Sequence, residues 1–92
     1  MDQHEKEFRM KMARSIRVFD LGAKLFHSRK RVHAILKKLE NFQFQTDHEK
    51  IYDTTSRIRR FLKADELGAV RREFRILRSV LKGSCDDKAD YF

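Results

Sequence analysis

The four histidines and the single cysteine are the side chains that could bind a metal ion or act as a nucleophile. They are His4, His27, His33, His48 and Cys85. Their spacing matches no metal-binding motif, and the sequence has no glycine-rich loop to hold a phosphate. Cys85 lies among aspartates after the last predicted helix, and these charges disfavour a reactive thiolate. The sequence therefore predicts a non-enzymatic protein with no metal and no cofactor.

Basic side chains are the other candidates for chemistry, because they can neutralise phosphates. The possible polyanion-binding residues are Arg57, Arg60, Arg71, Arg75 and Arg78. The last three form, with Lys82, a stripe expected about opposite the apolar stripe of their helix. Binding through it would be salt-dependent and largely non-specific. A solvated face is the favoured interpretation, because no aromatic residue is interleaved to stack bases and no helix-turn-helix spacing is present.

The composition indicates one small all-helical domain. The chain has 92 residues, a formal net charge of +8, no proline and three glycines, which leaves few of the residues that turns require. We expect a single helical domain over 1–83 and an acidic flexible tail over 84–92. No apolar run is long enough for a membrane span, no signal-peptide core is present, and one cysteine cannot form an internal disulfide. These features predict a reducing, cytoplasmic location.

Apolar periodicity predicts three helices, of which the first is much longer than the others. A coiled-coil-like helix is expected over about 3–45, and a helical hairpin over about 47–63 and 66–82. Thr46 and Glu49 have the spacing of a capping box, and Asp65 is the expected N-cap of the last helix. The seam of the long helix supplies the predicted protein-interaction residues, which are Val18, Leu21, Leu25, Val32, Ile35, Leu39 and Phe42.

The lengths of these helices raise a packing problem. At 1.5 Å per residue the first helix would be ~64 Å long, whereas each hairpin helix would reach only ~27 Å. About half of the apolar seam would then have nothing in the chain to cover it. Either the long helix bends back at Gly22 and makes a four-helix bundle, or it pairs with a protein partner or a second copy of the chain.

Over about residues 18–82 the order of features resembles the N-terminal helical region of exocyst complex component two-like vesicle-tethering subunits. The matching positions are Phe42 and Phe44 for a Phe pair, Ile58 and Leu62 for a short helix, 64–67 for a turn, and Val70, Glu73, Phe74 and 78–81 for the third helix. The Leu-Pro that usually follows the Phe pair is missing, and the turn Gly and Tyr are Asp65 and Leu67. The resemblance implies a scaffold in exocytosis, whose long helix zips with partner subunits.

Two functions from different classes follow from these features. The first is a helical protein–protein interaction module, as a scaffold segment of a vesicle-tethering complex. The alternative is a small basic helical protein of bacterial, phage or viral origin, which binds nucleic acid or regulates a partner. The salt dependence of binding separates them, because phosphate-driven binding weakens steeply with added salt and apolar helix pairing does not.

Overall fold

The structure is a computed structural model that describes residues 2–22 and 29–83, and residues 18–22 by their backbone alone. Four α-helices make up this part of the chain. Their bounds are α1 Gln3–Gly22, α2 Arg29–Asn41, α3 His48–Lys63 and α4 Leu67–Gly83. In space α1 packs against α2 and α4, and α3 packs against the same two helices. The predicted all-helical bundle is confirmed in its four-helix form.

Contacts between helix ends show that neighbouring helices run antiparallel. The start of α1 meets the end of α2, where Phe8 stacks on Phe42 with ring centroids 4.1 Å apart. The start of α1 also meets the end of α4, since Arg9 hydrogen-bonds the carbonyl of Leu81. The start of α2 lies beside the end of α3, where Arg29 hydrogen-bonds the carbonyl of Leu62. The helices therefore alternate in direction around the bundle.

The single long helix predicted over 3–45 is replaced by two packed helices. The longest dimension of the molecule is 36 Å, so a straight helix of ~64 Å does not fit in it. α1 ends at Gly22, α2 begins at Arg29 and ends at Asn41, and residues 23–28 lie outside the described part. The physical reason is burial, because folding back lets α1 pack against α4 and α2 pack against α3, whereas one extended helix would leave part of its apolar face in water.

The core is formed where the apolar stripes of the four helices converge. It contains Met12, Ala13 and Ile16 of α1, Val32, Ile35, Leu36 and Leu39 of α2, Phe44 of the following loop, Ile51, Ile58 and Leu62 of α3, and Leu67, Val70, Phe74, Leu77 and Leu81 of α4. The 3-4-3-4 spacing predicted for the last helix thus matches its buried face. Phe8, Phe42, Phe61 and Val80 are partly buried against this cluster.

The loop between α2 and α3 differs from the predicted capping box. Helix α3 begins at His48, and its N-cap position is Asp47, which has φ 61° and makes no side-chain cap hydrogen bond. Thr46 lies one residue too early to be the N-cap, and its carbonyl accepts a hydrogen bond from Arg9. A tertiary contact therefore sets this helix start in place of the local Thr46–Glu49 pairing.

The turn between α3 and α4 is a Schellman motif. The Asp65 N–H donates to the carbonyl of Leu62 at 3.1 Å, and the Glu66 N–H donates to that of Phe61 at 2.9 Å. Asp65 occupies the left-handed position with φ 62°, where glycine is usual. It therefore ends α3 instead of capping α4, which begins two residues later. Its carboxylate also pairs with Arg29 of α2.

A bidentate ion pair joins α2 to α3. Arg59 Nε donates to Glu40 Oε2 at 2.6 Å and its Nη2 donates to Oε1 at 2.8 Å. The hydrogen bond to Glu40 raises the pKa of Arg59 above its ordinary value. The ring nitrogen Nδ1 of His33 lies 3.3 Å from Arg59 Nη1. This part of the α2–α3 interface is therefore polar and charge-compensated.

Candidate binding surface on α1 and α4

The orientation of α4 follows from its one acidic residue. Glu73 is buried and accepts a hydrogen bond from Arg57 Nε of α3 at 2.8 Å, so this side of α4 faces α3. A helix turns ~100° per residue, so the four basic residues of the predicted stripe lie ~140–180° from Glu73 around α4. They are Arg71, Arg75, Arg78 and Lys82. This row therefore lies on the side of α4 that faces α1.

This placement corrects the expected geometry of the stripe. The four side chains lie ~40–100° from the buried Phe74 around the helix, so they flank the apolar face and do not oppose it. Arg75 is exposed, whereas Arg71, Arg78 and Lys82 are half-buried. Long basic side chains can cover apolar surface with their aliphatic stems while the charged ends reach water. The row thus contributes to packing as well as to charge.

Helix α1 extends this positive surface from the other side. Phe8 of α1 stacks on Phe42, which follows the last residue of α2, so the Phe8 side of α1 faces the end of α2. Lys6 and Arg17 lie ~160–180° from Phe8 around α1, and therefore on the face toward α4. We call these residues together the basic edge: Lys6 and Arg17 of α1 with Arg71, Arg75, Arg78 and Lys82 of α4.

Few carboxylates offset the basic edge among the described side chains of the two helices. These helices carry Glu5, Glu7 and Glu73 there. Glu5 is buried against Arg9, and Glu73 is bound to α3. Glu7 is the exposed one, and it accepts a hydrogen bond from Gln3 at 3.1 Å. The described side chains of the α1–α4 surface are therefore mostly basic.

An exposed isoleucine lies on the outer face of α4, ~100–160° around the helix from its basic row. Among the described side chains, the large hydrophobic residues exposed to solvent are Ile76 at 42% and Tyr52 at 53%. Ile76 lies ~160° from Phe74 around α4 and therefore points outward, one turn after the exposed Arg72. An exposed apolar side chain next to an arginine is a combination enriched in protein–protein interfaces. Sequence periodicity did not single out Ile76, since a lone apolar residue on a polar face has no repeat.

The structure separates Arg57 and Arg60 from the other predicted polyanion-binding arginines. Arg57 belongs to α3 and lies against the flank of α4 opposite the basic row, where its charge is compensated by Glu73. Arg60 is exposed on α3, with its guanidinium carbon 5.8 Å from the centroid of the Phe61 ring. The five predicted arginines therefore do not form one patch, and Arg71, Arg75 and Arg78 are the members that lie together.

The predicted protein-interaction residues lie inside the bundle wherever their side chains are described. Val32, Ile35 and Leu39 are buried in the core, and Phe42 is partly buried on Phe8. The other three, Val18, Leu21 and Leu25, lie outside the described side chains. In this structure the C-terminal part of the predicted seam thus packs against the chain itself and offers no free surface.

A buried arginine, which the sequence analysis missed, holds the end of the bundle beside the basic edge. Arg9 is 0% exposed, and its Nε donates to Glu5 Oε2 at 3.1 Å. Its Nη1 lies 3.4 Å from the carbonyls of both Val80 and Leu81, and its Nη2 donates to the carbonyl of Thr46. One guanidinium thereby joins α1, the last turn of α4 and the α2–α3 loop.

Glu5 completes this network on the acceptor side. Its Oε1 accepts the backbone N–H of Gln45 at 2.7 Å, and its own N–H donates to Asp2 Oδ1 at 2.8 Å. The Arg9 guanidinium carbon also lies 5.1 Å from the centroid of the Phe44 ring. The i, i+4 spacing of Glu5 and Arg9 is visible in the sequence, but it is a common surface pairing. Only the neighbouring elements show that this pair is buried.

The histidines do not come together in the described part of the chain. His4 lies against Phe42, His33 beside Arg59, and His48 beside Tyr52. Within residues 2–22 and 29–83 no group of three His, Cys, Asp or Glu residues is arranged to hold a metal ion. His27 and Cys85 lie outside these ranges.

None of the helices, over the residues described, is both long enough and apolar enough to cross a membrane. Comparisons of the chain with protein-family models, with curated proteins and with solved structures find no match. The resemblance to vesicle-tethering subunits therefore stays a prediction.

Proposed function

We propose that this chain is a non-enzymatic helical module that binds an acidic protein partner. The net positive charge of the chain supplies long-range attraction, and the exposed Ile76 with the neighbouring Arg72 supplies the contact on the outer face of α4. This function is of the same class as the protein–protein interaction module predicted from the sequence. It uses a different surface, because the described part of the predicted seam is buried.

The observation that carries this proposal is the position of Ile76 on the outer face of α4. An apolar anchor that loses water on binding, with an arginine beside it, is a common source of affinity in protein interfaces. Phosphate backbones make no use of an exposed isoleucine, because their contacts are made by charged and hydrogen-bonding groups. The proximity of Ile76 to Arg72 on one face of α4 therefore favours a protein surface that carries a carboxylate beside an apolar side chain.

A synthetic probe tests this proposal without knowledge of the natural partner. The probe is a fluorescent helical peptide with rows of Glu on both sides of a Leu row, and its binding is measured by anisotropy. Ile76→Ser is expected to weaken binding about tenfold, the effect of losing ~1.4 kcal/mol of apolar contact. The double variant Arg72→Gln, Arg75→Gln is expected to weaken it at least as much.

Matched controls come from exposed residues elsewhere on the bundle. Tyr52→Ser removes an exposed large hydrophobic side chain from α3, and Lys37→Gln with Lys38→Gln removes two exposed charges from α2. Both controls are expected to leave peptide affinity within about twofold, as is usual for surface changes outside an interface. Equal losses in the controls and in the α4 variants would contradict a specific site on α4.

Nucleic-acid binding is the second candidate, and the row on α4 favours it. From Arg71 to Lys82 the four basic positions extend over ~16 Å of helix, long enough to follow several phosphates. A short DNA duplex replaces the peptide in the same assay. Tight binding that falls steeply with salt, is lost with the arginines and is unaffected by Ile76→Ser would support this function over the first.

The vesicle-tethering role depends on a different surface. It requires the N-terminal part of the predicted seam, namely Val18, Leu21 and Leu25, to bind a partner helix or a second copy. Leu21→Glu is expected to abolish such pairing, because it would place an unpaired carboxylate in an apolar contact. Sedimentation of the wild-type chain and of this variant tests the pairing, and a variant that associates as the wild type does would contradict it.

A further inference from the structure

We propose that a second copy of the chain binds the outer face of α3, and that the two α3 helices pair antiparallel in a symmetric dimer. The outer face consists of six exposed side chains, which are Glu49, Tyr52, Asp53, Ser56, Arg60 and Lys63. No residue of α4 takes part in this contact, so the inference is independent of the function proposed above.

The outer face points away from the core, and its charges have no counterpart within the bundle. Its six side chains lie in an arc of ~100° around α3, at ~120–180° from the buried Ile58. Its four charged side chains form no ion pair or hydrogen bond with another described side chain. Their charges are therefore not compensated within the described part of the bundle.

The charges on this face are separated along the helix. Glu49 and Asp53 lie in the N-terminal half of α3, and Arg60 and Lys63 lie in its C-terminal half. The two acidic residues are four positions apart and the two basic residues three, so like charges are neighbours on the helix surface. This spacing disfavours an isolated helix. An antiparallel second copy places each acidic half beside a basic half.

The helix dipole explains only part of this separation. It favours acidic residues in the first turn and basic residues in the last, which accounts for Glu49, Arg60 and Lys63. Asp53 lies in the second turn, where the effect of the dipole has faded. The basic residue four positions after it, Arg57, is bound to Glu73 of α4. A basic group from a second copy supplies the ion-pair partner that Asp53 does not find in its own helix.

The spacing of the charges sets the register, with Ser56 at the centre. At 1.5 Å per residue, Glu49 and Lys63 lie ~10.5 Å from Ser56 on opposite sides, and Asp53 and Arg60 lie ~4.5 and ~6 Å from it. A twofold axis at Ser56 therefore places Glu49 beside Lys63 of the second copy, and Asp53 beside its Arg60. Each pair forms twice by symmetry. The small serine side chain lets the two helices approach closely.

Tyr52 adds an aromatic ring to the same contact. It is 53% exposed, and its ring stacks on that of His48 with centroids 6.3 Å apart. It lies ~6 Å from Ser56 along the axis, so the ring flanks the contact and loses water when the dimer forms. Tyrosine is enriched in protein interfaces, because it combines an apolar ring with a hydroxyl group.

The exposed faces of α2 and α4 lack this self-complementary pattern. Lys30, Lys37 and Lys38 are exposed on α2, and the one carboxylate of that helix, Glu40, is bound to Arg59. The one carboxylate of α4, Glu73, is buried. Two copies that met through either face would bring like charges together, whereas the outer face of α3 brings opposite charges together.

The net charge of +8 opposes association at long range. At physiological salt this repulsion is screened beyond ~8 Å, whereas ion pairs in direct contact keep most of their attraction. The contact is small and mostly polar, so we expect weak association with a dissociation constant of about 0.1–1 mM.

Charge reversal with a matched control tests the contact by sedimentation equilibrium of the full chain at physiological salt. Arg60→Glu with Lys63→Glu is expected to raise the dissociation constant at least about tenfold, because the four ion pairs become repulsive. The control, Lys37→Glu with Lys38→Glu on α2, lowers the net charge equally and is expected to keep or strengthen association. Circular dichroism checks that both variants stay helical. Equal effects of the two variants, or no association of the wild-type chain at about 2 mM, would overturn the proposal.

A mixing experiment tests whether the two halves of the face bind each other. Glu49→Lys with Asp53→Lys is expected to lose self-association as well. Mixed with the Arg60→Glu, Lys63→Glu variant it regains all four ion pairs, so a heterodimer at least as stable as the wild-type dimer is expected. Absence of this heterodimer would reject the proposed pairing.

Cross-linking tests the register with little change in charge. Cys85→Ser removes the only cysteine, and Ser56→Cys then places one thiol at the twofold axis, where mild oxidation is expected to join two copies by a disulfide. Glu49→Cys in the same background is the control, because the two copies of this position would be ~21 Å apart, too far for a disulfide. A disulfide dimer of the Ser56→Cys variant alone supports the proposal. Equal cross-linking of both variants, or of neither, would reject the antiparallel register.

Discussion

Arg9 is one of 22 lysines and arginines in the chain, and its position in the sequence does not separate it from the others. In the bundle it is fully buried and bonds to Glu5 and to three backbone carbonyls. A buried charge is tolerated only when it is paired and hydrogen-bonded, which these contacts provide. At the scale of single residues, the least exposed ion pair among the described side chains is therefore also the one that joins the most elements.

Replacing Arg9 by Met is expected to lower the free energy of unfolding by about 3–5 kcal/mol, because it leaves Glu5 buried without its ion-pair partner. The measurement is urea denaturation followed by circular dichroism. Arg72→Met removes an exposed arginine from α4 and is expected to change stability by less than ~0.5 kcal/mol. Equal effects of the two changes would mean that Arg9 is not buried.

The core also depends on single aromatic side chains. Phe74 is 3% exposed at the centre of the apolar face of α4. Phe74→Ala is expected to cost about 3–5 kcal/mol, since it removes buried apolar surface and leaves a cavity. A domain of this size has a total stability of only ~5–15 kcal/mol, so thermal unfolding should shift strongly. A loss below ~1 kcal/mol would show that the register of α4 is wrong.

At the scale of elements, the two loops that join α2 to α3 and α3 to α4 are both built on aspartates with positive φ. Asp47 has φ 61° and Asp65 has φ 62°. The left-handed conformation is accessible to Asp and Asn but costs most other residues ~1–2 kcal/mol. These aspartates thus allow tight turns in loops that contain no glycine.

Asp65 permits a test of the Schellman turn. Asp65→Ala is expected to destabilise the protein by about 1 kcal/mol or more, because alanine is strained at positive φ and the pair with Arg29 is lost. Asp65→Gly loses the same pair but relieves the strain, so it should be the more stable of the two variants. Thermal melts of both variants measure the difference. A more stable alanine variant would place Asp65 outside the left-handed region.

Thr46 tests which residue starts α3. If Thr46 formed a capping box with Glu49, Thr46→Ala would lower the free energy of unfolding by about 1 kcal/mol. With the helix starting at His48, the threonine side chain caps nothing, and its carbonyl contact with Arg9 survives the change. The expected effect on the free energy of unfolding is therefore within ~0.5 kcal/mol. A loss near 1 kcal/mol would restore the capping box.

At the scale of the whole molecule, closing the helices into a bundle determines which surfaces remain available. The Cα radius of gyration is 12.4 Å, close to the ~12 Å expected for a compact chain of this length. An extended first helix of ~64 Å would give ~18 Å or more from that helix alone. Folding back buries the apolar faces of α1 and α2 and leaves charged surface outside.

Small-angle X-ray scattering distinguishes these two shapes. We expect a radius of gyration below ~16 Å, since hydration adds only a few ångström to the compact value. Measurement over a range of concentrations controls for association. A value of ~20 Å or more at low concentration would indicate that the first helix is extended, and would return the seam to the surface.

The sequence by itself determined the helical class, the approximate bounds of α3 and α4, and the buried face of α4. These features follow from local periodicity and from residue types, because each helix carries its own apolar stripe. It did not determine that α1 and α2 are separate, since a seam of apolar residues satisfies either a partner chain or a fold-back. It also did not show that Arg9 is buried, that the row on α4 faces α1, or that Ile76 is exposed on the outer face of α4. Tertiary packing decided these points, because burial and neighbouring charges depend on which helices meet, and residues far apart in sequence set that.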